Sequence, residues 1–284
     1  MKRAPALWFS AAVLLTAATS AVEQARVLYQ KTRYEEAIRL LETSGGRSAE
    51  AHHLLGRCWY MLGDYKRATA AFERAVQAEP ANSIYHDWLG KAWGRRAETS
   101  SFLTAPGYAT KARKSFERAV ELDPTNLEAL SDLFEYYLEA PGILGGGLEK
   151  AEALAARFAK LDSAEYHWAL ARLAEKRKDL PAAEREYRRA AELEPSKPGR
   201  WIDLARFLAR LGRHADSEEA FDRAQKAAPD SPRVWFSRAA AWIESGRNLA
   251  AARRLLERYL EAELTPDDPP RRDARKLLER ATRG

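Results

Sequence analysis

Apolar residues recur along the chain at three- and four-residue intervals, in paired stripes separated by turn signals, which predicts successive amphipathic helices. The second stripe of each pair has a fixed form. It reads Ala68, Phe72, Ala75, Pro80, then Ala112, Phe116, Ala119, Pro124, then Ala183, Tyr187, Ala190, Pro195, then Ser217, Phe221, Ala224, Pro229. The interval from Pro195 to Pro229 is 34 residues, and fixed periods of this size mark repeat arrays. Each proline ends a second helix because it cannot continue one.

The first stripe of each pair agrees. It reads His52, Leu55, Gly56, Trp59, then His86, Leu89, Gly90, Trp93, then Trp201, Leu204, Ala205, Leu208. This resembles the tetratricopeptide repeat, whose pattern is Trp-x2-Leu-Gly-x2-Tyr, then Ala-x3-Phe, then Pro. Small residues share one phase of the first helix (Gly56, Gly90, Ala171, Ala205, Ala239) and one of the second (Ala68, Ala112, Ala151, Ala183, Ala251), where two helix backbones must approach closely. The resemblance implies an all-α, right-handed α-solenoid of about seven helix-turn-helix pairs. The repeats fall at about 22–43, 49–80, 83–124, 127–161, 164–195, 198–229 and 232–263, with a solvating cap helix at 269–283. One unit cannot bury its apolar face alone, so neighbours stack.

Two repeats break the period. Pro80 to Pro124 is 44 residues, so the third repeat carries ten extra between Trp93 and Ala112, where Pro106-Gly107 is a turn signal. The fourth is longer by about five, at Ala140 to Gly147. Its Pro-Gly-x-x-Gly-Gly turn resembles turns of secreted bacterial repeat proteins. Insertions in repeat arrays map to one face, which leaves two readings: a lip that grips a ligand, or a long turn that merely folds back.

The N-terminus adds an address. Met1-Lys2-Arg3 is basic, residues 4–15 are largely apolar, and small residues follow to Ala21, the signature of a secretory signal peptide. Cleavage after Ala21 or after Ser20 fits equally. The expected location is the periplasm or outside the cell, with an uncleaved inner-membrane anchor as the alternative. The chain of 284 residues is 46% hydrophobic and 31% charged, with net charge +6, too apolar for a disordered chain. Removing residues 1–21 lowers the charge to +4. The Arg-rich stretches Arg185 to Arg189, Arg253-Arg254 and Arg271-Arg272 are dispersed among glutamates, unlike a nucleic-acid stripe.

Candidate chemistry is sparse. Gly142-x4-Gly147 is followed by Leu148-Glu149, not Lys-Ser/Thr, so it is no phosphate loop. His52, His86 and His167 occupy the phase filled by Trp201 and Trp235, which makes them packing residues rather than metal ligands. Cys58 is alone, expected buried, and excludes a disulfide within the chain. Carboxylate pairs such as Glu35-Glu36 and Glu218-Glu219 read as solvated helix faces with i,i+4 cations. No catalytic dyad, cofactor site or metal cluster emerges, and a non-enzymatic role is expected.

In proteins of the resembled family the first helix of each pair lines a groove through phases 2, 5, 9 and 12 of the repeat. Carried over, this marks His53, Arg57 and Tyr60, then Asp87 and Lys91, then Ser131 and Glu135, then Trp168, Arg172 and Glu175, and finally Arg206. Mixed charge with an aromatic at each end suits an extended peptide, and of the tryptophans only Trp168 falls at such a phase. The family's two-carboxylate clamp, Lys and Asn at phases 5 and 9, is missing. The expected function is a scaffold for a peptide or protein partner in the bacterial envelope. The alternatives are an envelope assembly or structural factor and a glycan-binding repeat protein.

Overall fold

A computed structural model describes residues 21–283. The apolar run of the expected signal segment lies outside the described residues. The described residues are helical with short turns and contain no strand. They divide into two compact units, one running to Leu133 together with Ile143–Gly145, the other comprising Phe134–Gly142 and Gly146 onward.

Unit one holds α1 (residues 21–30), α2 (Tyr34–Thr43), α3 (Ala49–Leu62), α4 (Tyr65–Ala78), α5 (Ser83–Thr99), α6 (Ala105–Leu122) and the first half of α7 (Leu127–Glu139). Consecutive helices pair as α3 with α4 and α5 with α6. The small-residue phase has a direct cause. A Cβ on Gly56 would stand 2.6 Å from the Phe72 ring, and one on Gly90 2.6 Å from the Phe116 ring. Phe72 is fully buried, so the glycine in the first helix admits the aromatic from the second.

Unit two holds the second half of α7, α8 (Leu148–Phe158), α9 (Ser163–Lys176), α10 (Leu180–Leu193), α11 (Pro198–Arg210), α12 (His214–Ala227), α13 (Pro232–Glu244), α14 (Leu249–Glu261) and α15 (Arg271–Arg283). Its core joins Tyr187, Phe207, Phe221 and Trp201 around Ala171 and Ala205. The cap helix α15 lays Ala274, Leu277, Leu278 and Ala281 against the α13–α14 pair. In α14 the buried small residue is Ala252, with Ala251 only half-buried. The expected phase is late by one, because Asn248 at φ 49 adds a left-handed residue before the helix.

Local signals explain most boundaries. Asp64 accepts from the Arg67 amide at 2.9 Å, Asp162 from Glu165 at 2.9 Å and Asp179 from Ala182 at 3.0 Å, each satisfying an orphan amide of a first turn. Trp201 Nε1 donates to the Pro195 carbonyl at 3.2 Å, and His86 Nε2 lies 3.0 Å from the Pro80 carbonyl. The histidine therefore ties down the same proline as the tryptophan, the packing role its phase implied.

The third-repeat insertion departs from expectation. Pro106-Gly107 is not the turn: both lie in the first turn of α6, where proline's missing amide costs nothing. The extra residues lengthen α5 to 17 and α6 to 18 residues, and only Ser100–Thr104 joins them. In the fourth repeat a short 3₁₀ turn, Gly142–Leu144, connects α7 to α8.

Candidate binding faces on the first helices

In unit one the predicted residues meet around a tryptophan that the phase rule omits. Trp88 stands edge-on to Tyr60 at 5.5 Å, and its ring carries the Arg57 guanidinium at 4.7 Å and the Lys91 ammonium at 4.8 Å. Arg57 also lies 4.5 Å from the Tyr29 ring. His53 sits among Tyr85 at 4.7 Å, Phe72 at 5.7 Å and Trp88 at 6.1 Å. Burial, then the nearby cations Arg57, Arg26 and Lys91, push its pKa down to about 3, so it is a neutral packing group. Burial likewise pushes the Cys58 thiol up to about 12, and the fully buried thiol is unreactive. Trp168 is thus not alone among tryptophans on the face. Trp88 lies at phase 6, one residue beyond the rule, where a helix still points to the same side.

Below Trp88 lies an ion cluster. Lys91 Nζ reaches Asp87 at 3.2 Å, Asp132 at 3.1 Å and also Glu128. The three carboxylates come within 4.8 Å of one another, and the ammonium occupies the position of a cation among them. Asp87 is 2% exposed. Burial and the adjacent Asp132, against the pull of Lys91, hold its proton up to about 8. Burial opposes the Lys91 charge, but Asp132, Asp87 and Glu128 outweigh it and its pKa is raised. Ser131 is half-buried, its Oγ donating back along its own helix to the Leu127 carbonyl at 2.8 Å.

A pH dependence follows. A carboxyl held protonated by the fold favours folding below its ordinary pKa of 3.8, and that contribution is lost as pH rises through about 8. Asp87→Asn mimics the protonated acid and leaves Lys91 with Glu128 and Asp132. Amide hydrogen exchange of α5 across this range is expected to show the wild type losing protection with rising pH relative to the asparagine variant. Parallel curves would mean that Asp87 ionises freely.

In unit two, Glu135, Trp168, Arg172 and Arg206 line one cavity of about 310 Å³, with Tyr187, Asp203 and Arg210. Arg172 grips Glu135 in a two-pronged pair at 2.8 and 2.7 Å and reaches Glu139 at 3.1 Å. The bond to Glu135 leads the causes that raise its pKa. Glu175 is also committed: it accepts from the Tyr187 hydroxyl at 2.5 Å and from Arg210 at 2.6 Å. Trp168 is half-buried beside Phe134 at 5.7 Å, with the Arg200 guanidinium 5.1 Å from its ring. Arg206 is exposed and forms no ion pair among the described residues.

The charged groove positions therefore differ from their sequence reading. Asp87, Lys91, Glu135, Arg172 and Glu175 bond one another or adjoining first helices across a repeat boundary, as Arg172 does with Glu135. Only Asp87 with Lys91 is also an i,i+4 pair within one helix. Glu218 is another such case, accepting from Trp242 Nε1 at 2.6 Å and from Arg238 at 2.9 Å. The phase rule also omitted Tyr187, Asp203 and Arg210. Asp203 and Arg210 fall at phases 6 and 13, adjoining the predicted ones. Tyr187 comes from a second helix and had no groove signal.

Tetratricopeptide repeat models match residues 49–82, 145–198 and 174–243. Tetratricopeptide repeat protein 37 of Xenopus laevis is 27% identical over 233 residues, covering 80% of this chain, and Superkiller complex protein 3 of Mus musculus is 27% identical over 258 residues, covering 78%. The chain spans only 14% and 15% of the length of these relatives. Among solved structures, a tetratricopeptide repeat protein of Parabacteroides merdae matches 94% of this chain and 99% of its own with TM-score 0.59 at 13% identity. A thermophilic one of Thermus thermophilus matches 67% and 98% with TM-score 0.55 at 22% identity. With repeat phasing, helix pairing and these matches in agreement, the chain belongs to the tetratricopeptide repeat family.

Proposed function

We propose that this repeat array is a non-enzymatic scaffold that binds an extended, acidic segment of a protein partner along its first-helix faces. The observation that carries the reading is the cavity beside Trp168. Its wall offers a half-buried aromatic for an apolar side chain and, in Arg206, an exposed guanidinium that pairs with no carboxylate among the described residues. Arg172 and Arg210 add positive charge, but their partners Glu135 and Glu175 already compensate it. A carboxylate of the ligand beside Arg206 meets the uncompensated charge. Charged groups placed in this way set register and partner choice more than affinity.

The apolar N-terminal run supports export, so the proposed setting is the bacterial envelope, either free after cleavage or held at the inner membrane. Selection from a random peptide library tests the ligand class. The wild type is expected to enrich sequences with Asp or Glu next to a large apolar residue. Arg206→Glu is expected to reverse the charge preference, and Trp168→Ala to weaken recovered peptides by about 10-fold or more, as for a buried aromatic anchor. Unchanged selection in both variants would remove this cavity from the binding face.

A further inference from the structure

We propose that the inserted edge of unit one is a membrane-docking surface, seating Phe102, Leu103 and Ile143 in the outer layer of an anionic phospholipid bilayer. These are the most exposed large apolar side chains among the described residues, at 83, 77 and 92%. All three lie on the two inserted turns. Exposed apolar groups scattered singly need no explanation; these are confined to the two places where the repeat period is broken.

The surrounding charge points to a bilayer. Nearly one residue in three of the chain is charged, yet residues 99–110 and 140–148 contain no charged side chain. The insertion lengthens α5 and α6 by about one turn each beyond the 14 residues of α3 and α4, which carries the tip ~5 Å further out. Behind the tip is a cavity of about 560 Å³ walled by Lys66, Arg96 and the hydroxyl residues Tyr65, Thr99, Ser100 and Tyr108. Asp64 is the one carboxylate on its wall, and Arg67 lies 3.5 Å from it. Cations and hydroxyls set just behind an uncharged apolar tip match a bilayer's layered order of phosphate headgroups over acyl chain.

The tip is also rigid. Arg96 donates to the Tyr108 hydroxyl at 2.8 Å and to Thr69 Oγ1 at 3.0 Å. The Trp93 and Tyr108 rings stack at 5.4 Å, and the Thr104 amide donates to the Ser101 carbonyl at 3.0 Å. Insertion therefore costs little ordering entropy. Ile143 stands on the neighbouring turn of the same unit, where Gly145 lies against the α6 residue Arg113.

The test places an environment-sensitive fluorophore at Ser101→Cys in the full chain. Cys58 is buried and stays unlabelled. A second chain labelled at Gln77→Cys, an exposed position away from the tip, reports any binding through the N-terminus. Phosphatidylglycerol-containing vesicles are expected to shift the Ser101 probe to the blue and leave the Gln77 probe unmoved, with a much weaker shift on phosphatidylcholine alone. Changing Phe102, Leu103 and Ile143 to Ser is expected to raise the lipid concentration for half-shift by about tenfold per side chain removed. No shift at Ser101 with anionic vesicles overturns the proposal. So does a shift that grows with protein concentration without lipid, because a second copy would then cover the tip.

Discussion

Replacing Lys91 with Met is expected to destabilise unit one by about 3–5 kcal/mol at neutral pH, the usual cost of removing one partner of a buried charge pair. Among the described residues the ammonium is the one cation in ion-pair contact with Asp87, Glu128 and Asp132, whose carboxylates lie within 4.8 Å of one another. Methionine has the length to fill the space but offers nothing to the oxygens. Asp87, at 2% exposure, has no route to water short of opening α5. The loss shrinks in acid, where the buried Asp132, its pKa raised by burial, takes up a proton. Repeat arrays do not always unfold in one step, so the decisive readout is hydrogen exchange in α5 and the start of α7. A change under about 1 kcal/mol would mean that the cluster is solvated and contributes little.

Gly146→Ala is expected to cost about 2–3 kcal/mol through overpacking against backbone. A Cβ at Gly146 would lie 1.9 Å from the Ala140 carbonyl oxygen and 2.6 Å from its carbonyl carbon. No rotamer relieves a clash with backbone, so the turn must move. The same turn is closed by the Gly147 amide donating to the Tyr137 carbonyl at 2.8 Å and the Gly146 amide to Pro141 at 3.2 Å. At the start of the same turn a Cβ on Gly142 meets nothing within 4 Å, and Gly142→Ala serves as the near-silent control. Thermal unfolding followed by circular dichroism compares the two. Equal midpoints would mean that the turn rearranges freely.

The architecture was legible because each repeat solves one packing problem with the same residues. Gly56 and Gly90 admit Phe72 and Phe116, and that pairing of small and large at fixed spacing is visible in the chain without coordinates. What escaped depended on register or on partners distant in sequence. Asn248 in a left-handed conformation shifted α14 by one residue, so Ala252 is the buried residue rather than Ala251. Pro106-Gly107 reads equally as a turn or as a helix start, and the length of α6 decided it.

The proposed binding face is legible in part. The family phases mark Trp168, Arg172 and Arg206, which line one cavity, but a helix face is wider than the four phases, so the rule omits the adjoining Trp88, Asp203 and Arg210. The state of each charge was not legible at all. Lys91 and Arg206 occupy the same phase, yet one is bound to three carboxylates and the other to none among the described residues. The difference lies in the neighbouring first helix, Asp132 in one case, and sequence spacing within one helix does not report it.

In the proposed complex Arg206 holds a carboxylate of the partner. A double-mutant cycle tests it most directly, combining Arg206→Glu in the protein with Glu→Lys in a selected acidic peptide and measuring binding by calorimetry. Each change alone is expected to weaken binding, and the two together to restore much of it, with a coupling of about 0.5–3 kcal/mol. Additive losses, with no recovery in the doubly reversed pair, would contradict the claim.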